Sequence, residues 1–276
     1  MNSLCVLTPA IIDKECVEQT AKSLRENLFE KNPKTRFKHI VQLCDYKREG
    51  YEGTLEEIEK IYLESNSLEN CEVVVKKSSP RVGHVMAGYK LFCEFIFSTE
   101  SDHCIVIEED TKLMHPVELE NLQSIIEKYP EKIVHLSMGY DYPGMNKWKP
   151  GDNGKEDCSS EAFLEEKIHS EGALSAFSNY TSFCSWNGTV FSRDMMKKIV
   201  GSFSPFSSEN CEDQIGKMNF FSEKEVLTLG FGENVELNGE REEFFKHHDW
   251  QLPKENHILL EIIRRGRELG RPGYIG

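Results

Sequence analysis

HCIVIEEDTKL, residues His103 to Leu113, sets a run of apolar side chains directly against three consecutive carboxylates. Cys104 to Ile107 reads as a short strand covered on both faces. Glu108, Glu109 and Asp110 stand where that strand emerges into water. Carboxylates packed this closely repel one another, so solvent or a neighbouring cation must relieve them. Which of the two applies decides whether the strand end is plain surface or a site.

Working back from this strand, the chain alternates strands and helices. Ser3 to Leu7 is apolar and stops at Thr8-Pro9; from Asp13 a helical pattern places Val17, Ala21, Leu24 and Leu28 on one face. Phe37 to Leu43 is a second strand ending at Cys44-Asp45, followed by a helix with Leu55, Ile58 and Tyr62 in register. A third strand, Cys71 to Val75, leads through a polar turn, Lys76 to Arg81, into a helix carrying Val85, Tyr89, Phe92 and Ile96. Parallel neighbours need crossovers of this length, so the expected fold is an α/β layered domain with a central, mostly parallel sheet flanked by helices. Working forward, Pro116 is expected to open a helix with Leu119, Leu122, Ile126 and Tyr129 inward, and Lys132 to Leu136 makes another strand. Met138 to Ser160 is rich in Gly, Pro, Asp, Asn and Ser and reads as a long loop. Thr181 to Phe191 regains strand character, Arg193 to Val200 and Cys211 to Phe221 read as helices, and Val226 to Phe231 as a last strand. No repeat or linker divides the 276 residues, so one domain is expected, with halves at 1–112 and 113–276.

The net charge of −14 argues against a nucleic-acid partner, because no local Lys/Arg cluster offsets it. Nine scattered cysteines without a C-x-x-C pair read as reduced thiols. With no signal-peptide pattern and no window long and apolar enough to span a bilayer, a cytoplasmic setting is the expectation.

Ligands of open α/β sheets gather outside the carboxyl ends of the strands, where Thr8, Asp45, the turn after the third strand and Glu108 to Asp110 should converge. Oxygen ligands of this kind suit Mg²⁺ or Mn²⁺, although a solvated acidic strand end would look the same. The entry Ser79-Pro80-Arg81-Val82-Gly83-His84 places backbone donors, Arg81 and His84 where a diphosphate could sit, or is a helix cap and no more. Glu212 and Asp213 fall at the start of a later helix, either as dipole partners or as a general base for an acceptor hydroxyl. Trp186, Asn187 and Gly188 offer an aromatic face to a sugar, or a core tryptophan. His247 and His248 follow the last strand, and their alternation lets at most one face the carboxylates.

These features resemble the GT-A glycosyltransferase superfamily: the strand into Thr8-Pro9, the acid after the second strand, the arginine-bearing helix entry, the strand into Glu108-Glu109-Asp110, and Glu212-Asp213. The segment from Val82 to Leu113 is loosely similar to the Glu-Asp-Asp region of N-acetylglucosaminyltransferase I and its relatives. The resemblance implies a metal-dependent, inverting glycosyltransferase of hexosyltransferase type, passing a sugar from a UDP or GDP sugar to a glycan or other hydroxyl acceptor. It implies that Asp110 binds Mn²⁺ or Mg²⁺ directly and Glu108 through water, with His248 or His247 as a late ligand. Glu109 would lie near the donor ribose or sugar, Asp45 near the nucleoside, and Thr8, with Pro9, near base or ribose. Asp213 would be the base, with Glu212 beside it. Glu108 departs from the family's usual first Asp. A haloacid dehalogenase-type phosphotransferase is disfavoured because Glu108 occupies the position of its nucleophilic Asp. A sugar nucleotidyltransferase lacks its Gly-rich basic loop here. A non-catalytic nucleotide- or glycan-binding module keeps the same pocket without turnover.

Overall fold

Eight consecutive residues of β1, Ser3–Ala10, include seven that are buried, which only a central strand permits. The computed structural model describes residues 1–46, 52–78, 84–136, 167–171, 174–180, 186–207, 209, 211–218, 226–231 and 260–262. Within them β1 lies between β2 (Arg36–Cys44) and β4 (His103–Val106), parallel to both; β3 (Cys71–Ser78) continues the parallel set to the edge. The crossovers are α1 (Lys14–Leu24), continued by a π-helical turn Arg25–Phe29, then α2 (Leu55–Asn66) and α3 (His84–Ser98). Beyond β4 the sheet continues with β9 (Thr189–Ser192), β6 (Ile133–Leu136) and β10 (Val226–Phe231). Of these seven strands β9 alone runs opposite to the rest, so this central sheet is mostly parallel. An antiparallel pair, β8 (Leu174–Tyr180) and β7 (Lys167–Glu171), extends the far edge. Strands from 1–112 and from 113–276 therefore share one sheet.

Alternation along β1 and β4 divides the core between the two faces. Leu4, Val6, Ile105 and Ile107 pack on the side of α1 and α4 (Leu119–Lys128). Cys5, Leu7, Cys104 and Val106 pack with Leu91, Phe92 and Phe95 of α3 and with Met196 and Ile199 of α5 (Arg193–Ser202). The expected inward face of α1, Val17, Ala21, Leu24 and Leu28, is fully buried. The seven described cysteines are all free thiols. No described helix is long and apolar enough to cross a membrane.

Several boundaries differ from expectation. β1 runs through Thr8-Pro9 because the β4 ladder beside it ends with Ile107 N–H on the Leu7 carbonyl, leaving no donor required of Pro9. Lys76 to Ser78 are not a turn but the end of β3, an edge strand whose lysines reach Glu94 and Glu59. A short strand β5 (Thr111–Leu113) follows the carboxylates, and α4 begins at Leu119, not Pro116, with Ile125 and not Ile126 fully buried. β11 (Leu260–Ile262) returns from far along the chain to pair antiparallel with β5. The loop expected from Met138 to Ser160 lies outside the described residues.

One arginine closes α3. The Arg193 guanidinium donates to the carbonyls of Ile96 (2.8 Å), Thr99 (2.8 Å) and Ser101 (2.6 Å) and sits 4.9 Å from the Phe95 ring. It satisfies carbonyls that a helix C-terminus leaves without partners. Arg193→Ala is expected to cost about 3 kcal/mol, and Arg193→Lys to recover little of it, because an ammonium cannot span three carbonyls in one plane. Urea unfolding of the two variants checks this.

Candidate active site

The backbone after β4 is held from two sides. On the first, Thr20 Oγ1 donates to the Glu109 carbonyl (2.7 Å), Ser23 Oγ accepts from Leu113 N–H (3.0 Å), and Asn27 Nδ2 donates to the Leu113 carbonyl (2.8 Å). These residues line one side of α1 and the π-helical turn, so a helix that packs apolar residues into the core also carries a polar rail for β5. Thr111 N–H closes the turn on the Glu108 carbonyl at 3.1 Å.

On the second side stands the loop before β9. Gly188 adopts φ 81°, which a side chain would strain, and its N–H donates to the Val106 carbonyl (2.7 Å) while its own carbonyl accepts from Leu136 N–H (2.8 Å). Asn187 Oδ1 accepts from Glu108 N–H (3.2 Å); its Nδ2 donates to Glu108 Oε2 (3.2 Å) and Thr111 Oγ1 (2.7 Å). Trp186 Nε1 donates to Glu108 Oε1 at 2.8 Å. His135 Nε2 lies 2.9 Å from the Asn187 carbonyl, so that nitrogen carries the proton and donates. Burial holds the imidazole neutral, lowering its pKa to about 4.

The three carboxylates thus have different surroundings. Glu108 is half-buried and bonded through both oxygens; Glu109 is only 7% exposed; Asp110 is half-buried. The Tyr62 phenol is pushed well above its usual range, first by burial and then by Glu109 and Asp110. The Cys44 thiol is pushed up to about 11 by burial and by Glu109. Glu109 thus acts on groups of both β2 and α2, and Asp110 on Tyr62 of α2. Asp45 follows β2 half-buried, beside an exposed Tyr46 whose carbonyl accepts from Ile12 N–H (2.9 Å).

Two expected roles change. Thr8 is fully buried two residues before the strand end, with its hydroxyl 3.0 Å from His39 Nε2, so it is an interior partner of a histidine and not a nucleotide contact; Pro9 beside it is buried in the same strand. Trp186 is 1% exposed and meets Phe92 edge-on at 5.7 Å, so its faces serve the core and not a sugar, and Asn187, fully buried beneath Glu108, is likewise no acceptor contact. Sequence alone did not point to His135, Thr20 or Thr111, whose partners are set by tertiary packing.

α6 (Cys211–Gly216) carries Glu212 and Asp213 in its first turn, and Cys211 Sγ reaches the Val85 carbonyl at 3.9 Å. His84 opens α3; the side chains of His84, Glu212 and Asp213 are outside the described set, as are Arg81, His247 and His248 entirely. A Cβ on Gly88 would lie 2.8 Å from both Cys211 Sγ and Trp186 Cζ3. Gly88→Ala is therefore expected to destabilise by about 1–2 kcal/mol despite alanine's better helix propensity, because neither buried neighbour can withdraw. A lowered urea midpoint at unchanged slope would report it.

Glu108 and Asp110 supply hard oxygen donors fit for Mg²⁺ or Mn²⁺, and among the described residues no group of three or more His, Cys, Asp or Glu converges as a complete ligand set. Remaining positions would fall to water and substrate, as is usual for these ions.

No protein-family model and no curated protein sequence matches the chain. Solved structures do. S. aureus TarS, a wall teichoic acid glycosyltransferase, superposes with a TM-score of 0.51 at 12% identity over 82% of this chain. Its 1–349 segment gives 0.50 at 14% identity, again over 82% of this chain. The chain spans 35% and 57% of those two structures. The likeness is one of fold.

Proposed function

We propose that the chain is a metal-dependent, inverting glycosyltransferase of hexosyltransferase type, using a UDP or GDP sugar and a glycan or other hydroxyl acceptor. The observation that carries this reading is the carboxylate tip Glu108–Asp110 at the carboxyl end of a central strand, held by α1 and the Trp186–Gly188 loop within a glycosyltransferase-like fold. Ligand sites of such sheets lie there.

In this reading Asp110 would hold the metal directly and Glu108 through water, with His247 or His248 as a late ligand, and Asp45 contacts the nucleoside. Glu109 acts near the donor ribose or sugar, and His84, which opens α3, holds the diphosphate together with Arg81, three residues earlier in the sequence. The chemistry a bound Mg²⁺ or Mn²⁺ supplies is Lewis-acid neutralisation of charge on the leaving diphosphate. Asp213, with Glu212 beside it, takes the proton of the acceptor hydroxyl. That oxygen bonds to the anomeric carbon from the face opposite the diphosphate, the carbon–oxygen bond to the diphosphate breaks with its electron pair, and configuration inverts.

The test is a thermal-shift panel of nucleotide diphosphate sugars with and without Mn²⁺, because a ligand of the folded state alone raises the melting temperature. One UDP or GDP sugar is expected to stabilise only when Mn²⁺ is present, and then to be consumed with an acceptor. Binding without turnover would favour a non-catalytic module. No stabilisation by any donor, with Asp110→Ala indistinguishable from the parent, would remove the metal site.

A further inference from the structure

We propose that Trp186 and Asn187 are positioning residues, which lock the Glu108 carboxylate in one orientation. The role of Glu108 toward a divalent cation rests on the function proposed above; the lock itself rests on geometry alone.

A glutamate side chain has enough rotatable bonds to cost appreciable free energy when a ligand must order it. Here the order exists beforehand. Glu108 Oε1 accepts the Trp186 indole N–H at 2.8 Å, Oε2 accepts Asn187 Nδ2 at 3.2 Å, and the Glu108 backbone N–H donates to Asn187 Oδ1 at 3.2 Å. The Asn187 amide has one orientation that serves all partners: its oxygen faces Glu108 N–H, and its nitrogen is shared between Glu108 Oε2 and Thr111 Oγ1. Trp186 is 1% exposed and Asn187 0%. Buried donors of this kind incur their full desolvation cost if the carboxylate turns away, so the bonds are hard to break.

The loop bearing both residues is itself fixed before it meets Glu108. Gly188 bonds to Val106 and Leu136, and His135 donates to the Asn187 carbonyl. The far edge of the indole borders Gly88 of α3. Its Cζ3 and Cη2 atoms lie 2.8 and 3.0 Å from the position a Cβ on Gly88 would take, and Cys211 Sγ lies 2.8 Å from the same point. Cys211 is the first residue of α6, and Glu212 and Asp213 follow it. The ring that holds the first carboxylate and the first residue of the helix carrying the second acidic pair thus both border Gly88 of α3. Preorganisation of this sort puts the ordering cost into folding instead of binding.

The chain has three tryptophans and hence three indole N–H resonances in a ¹⁵N correlation spectrum, of which Trp186→Phe identifies one. Glu108→Gln is expected to move that resonance upfield, as a neutral acceptor replaces a charged one. Asn187→Ser is expected to move it the same way, although residue 187 does not touch the indole N–H, because Glu108 is released. Asn187→Ala, which removes the amide that holds Glu108 altogether, serves as the second variant should Asn187→Ser not fold. An indole resonance that stays in place in the folded variant of either kind overturns the positioning role. In the transfer assay, Trp186→Phe is expected to raise the Mn²⁺ concentration for half-maximal rate about tenfold with the acceptor KM unchanged, the scale on which supports of metal ligands act. Kinetic losses that only track the folded fraction would also overturn it. If no sugar is transferred at all, the proposed function fails while the resonance shifts still decide the lock.

Discussion

Acidifying the protein from pH 7 to pH 4.5 is expected to remove about 5 kcal/mol of folding stability, which for a chain of this size lowers the melting temperature by about 10–20 °C. Two histidines account for it. His39 and His135 are completely buried, and burial lowers their pKa to about 3 and about 4. The His39 ring is enclosed by neutral partners: the Thr8 hydroxyl donates to Nε2 at 3.0 Å, and Nδ1–H donates to the Asn66 side-chain oxygen at 3.2 Å once that amide is oriented to donate to the Ala21 carbonyl. Among the described residues neither ring has a hydrogen-bonded carboxylate partner that would favour a second proton. Unfolded, both would titrate near pH 6.5, so below that pH the unfolded chain binds two protons that the native one refuses. Stability is therefore full above about pH 6.5 and is lost at about 2.7 kcal/mol per pH unit as pH falls toward the folded values. Burial lowers the pKa of His103 as well, which acts in the same direction. Melting temperatures across this range measure the effect, and His39→Gln should bring the slope down by one proton per unit. A flat profile between pH 7 and pH 4.5 would contradict the neutral, buried state of both rings.

The first half of the sheet was readable because each strand is buried on both faces and each crossover helix keeps one apolar stripe; Val17, Ala21, Leu24 and Leu28 needed nothing beyond spacing. Polar residues misled for one recurring reason. Thr20, Ser23 and Asn27, outside the apolar stripe of α1 and its π-helical continuation, hold the backbone of β5 and of Glu109 before it. Thr8 looks like the end of a strand, yet it partners an interior histidine. In each case the hydrogen-bond partner lies 31 or more residues away, and periodicity carries no information about such pairs. β7 and β8 went unread because KIHSE and LSAFSNY lack a sustained apolar run, and their pairing along the β10 edge is a tertiary fact. Trp186 was readable as a core or a ligand residue from its type alone, and only its contacts separate the two.

Replacing Asp110 by alanine is expected to lower sugar transfer by about 10³-fold while leaving stability unchanged or slightly higher. The two signs together carry the test. Glu108, Glu109 and Asp110 are consecutive, and the desolvation of Glu109 at 7% exposure leaves its charge poorly screened from its neighbours. Removing one charge from such a set relieves repulsion, so a residue present only for the fold would not be kept there at that cost. The Glu108 carboxylate anchors the Trp186–Asn187 loop, and the Glu109 carbonyl anchors the turn before β5 to Thr20. Glu108→Ala is therefore expected to lower both activity and stability, since it leaves the buried indole N–H and the Asn187 amide short of an acceptor. Asp110→Ala separates chemistry from fold where Glu108→Ala cannot. Full transfer activity in Asp110→Ala would detach the carboxylate tip from the reaction. A large loss of stability in the same variant would instead make Asp110 a structural residue, and the strand end would then be acidic for reasons of folding alone.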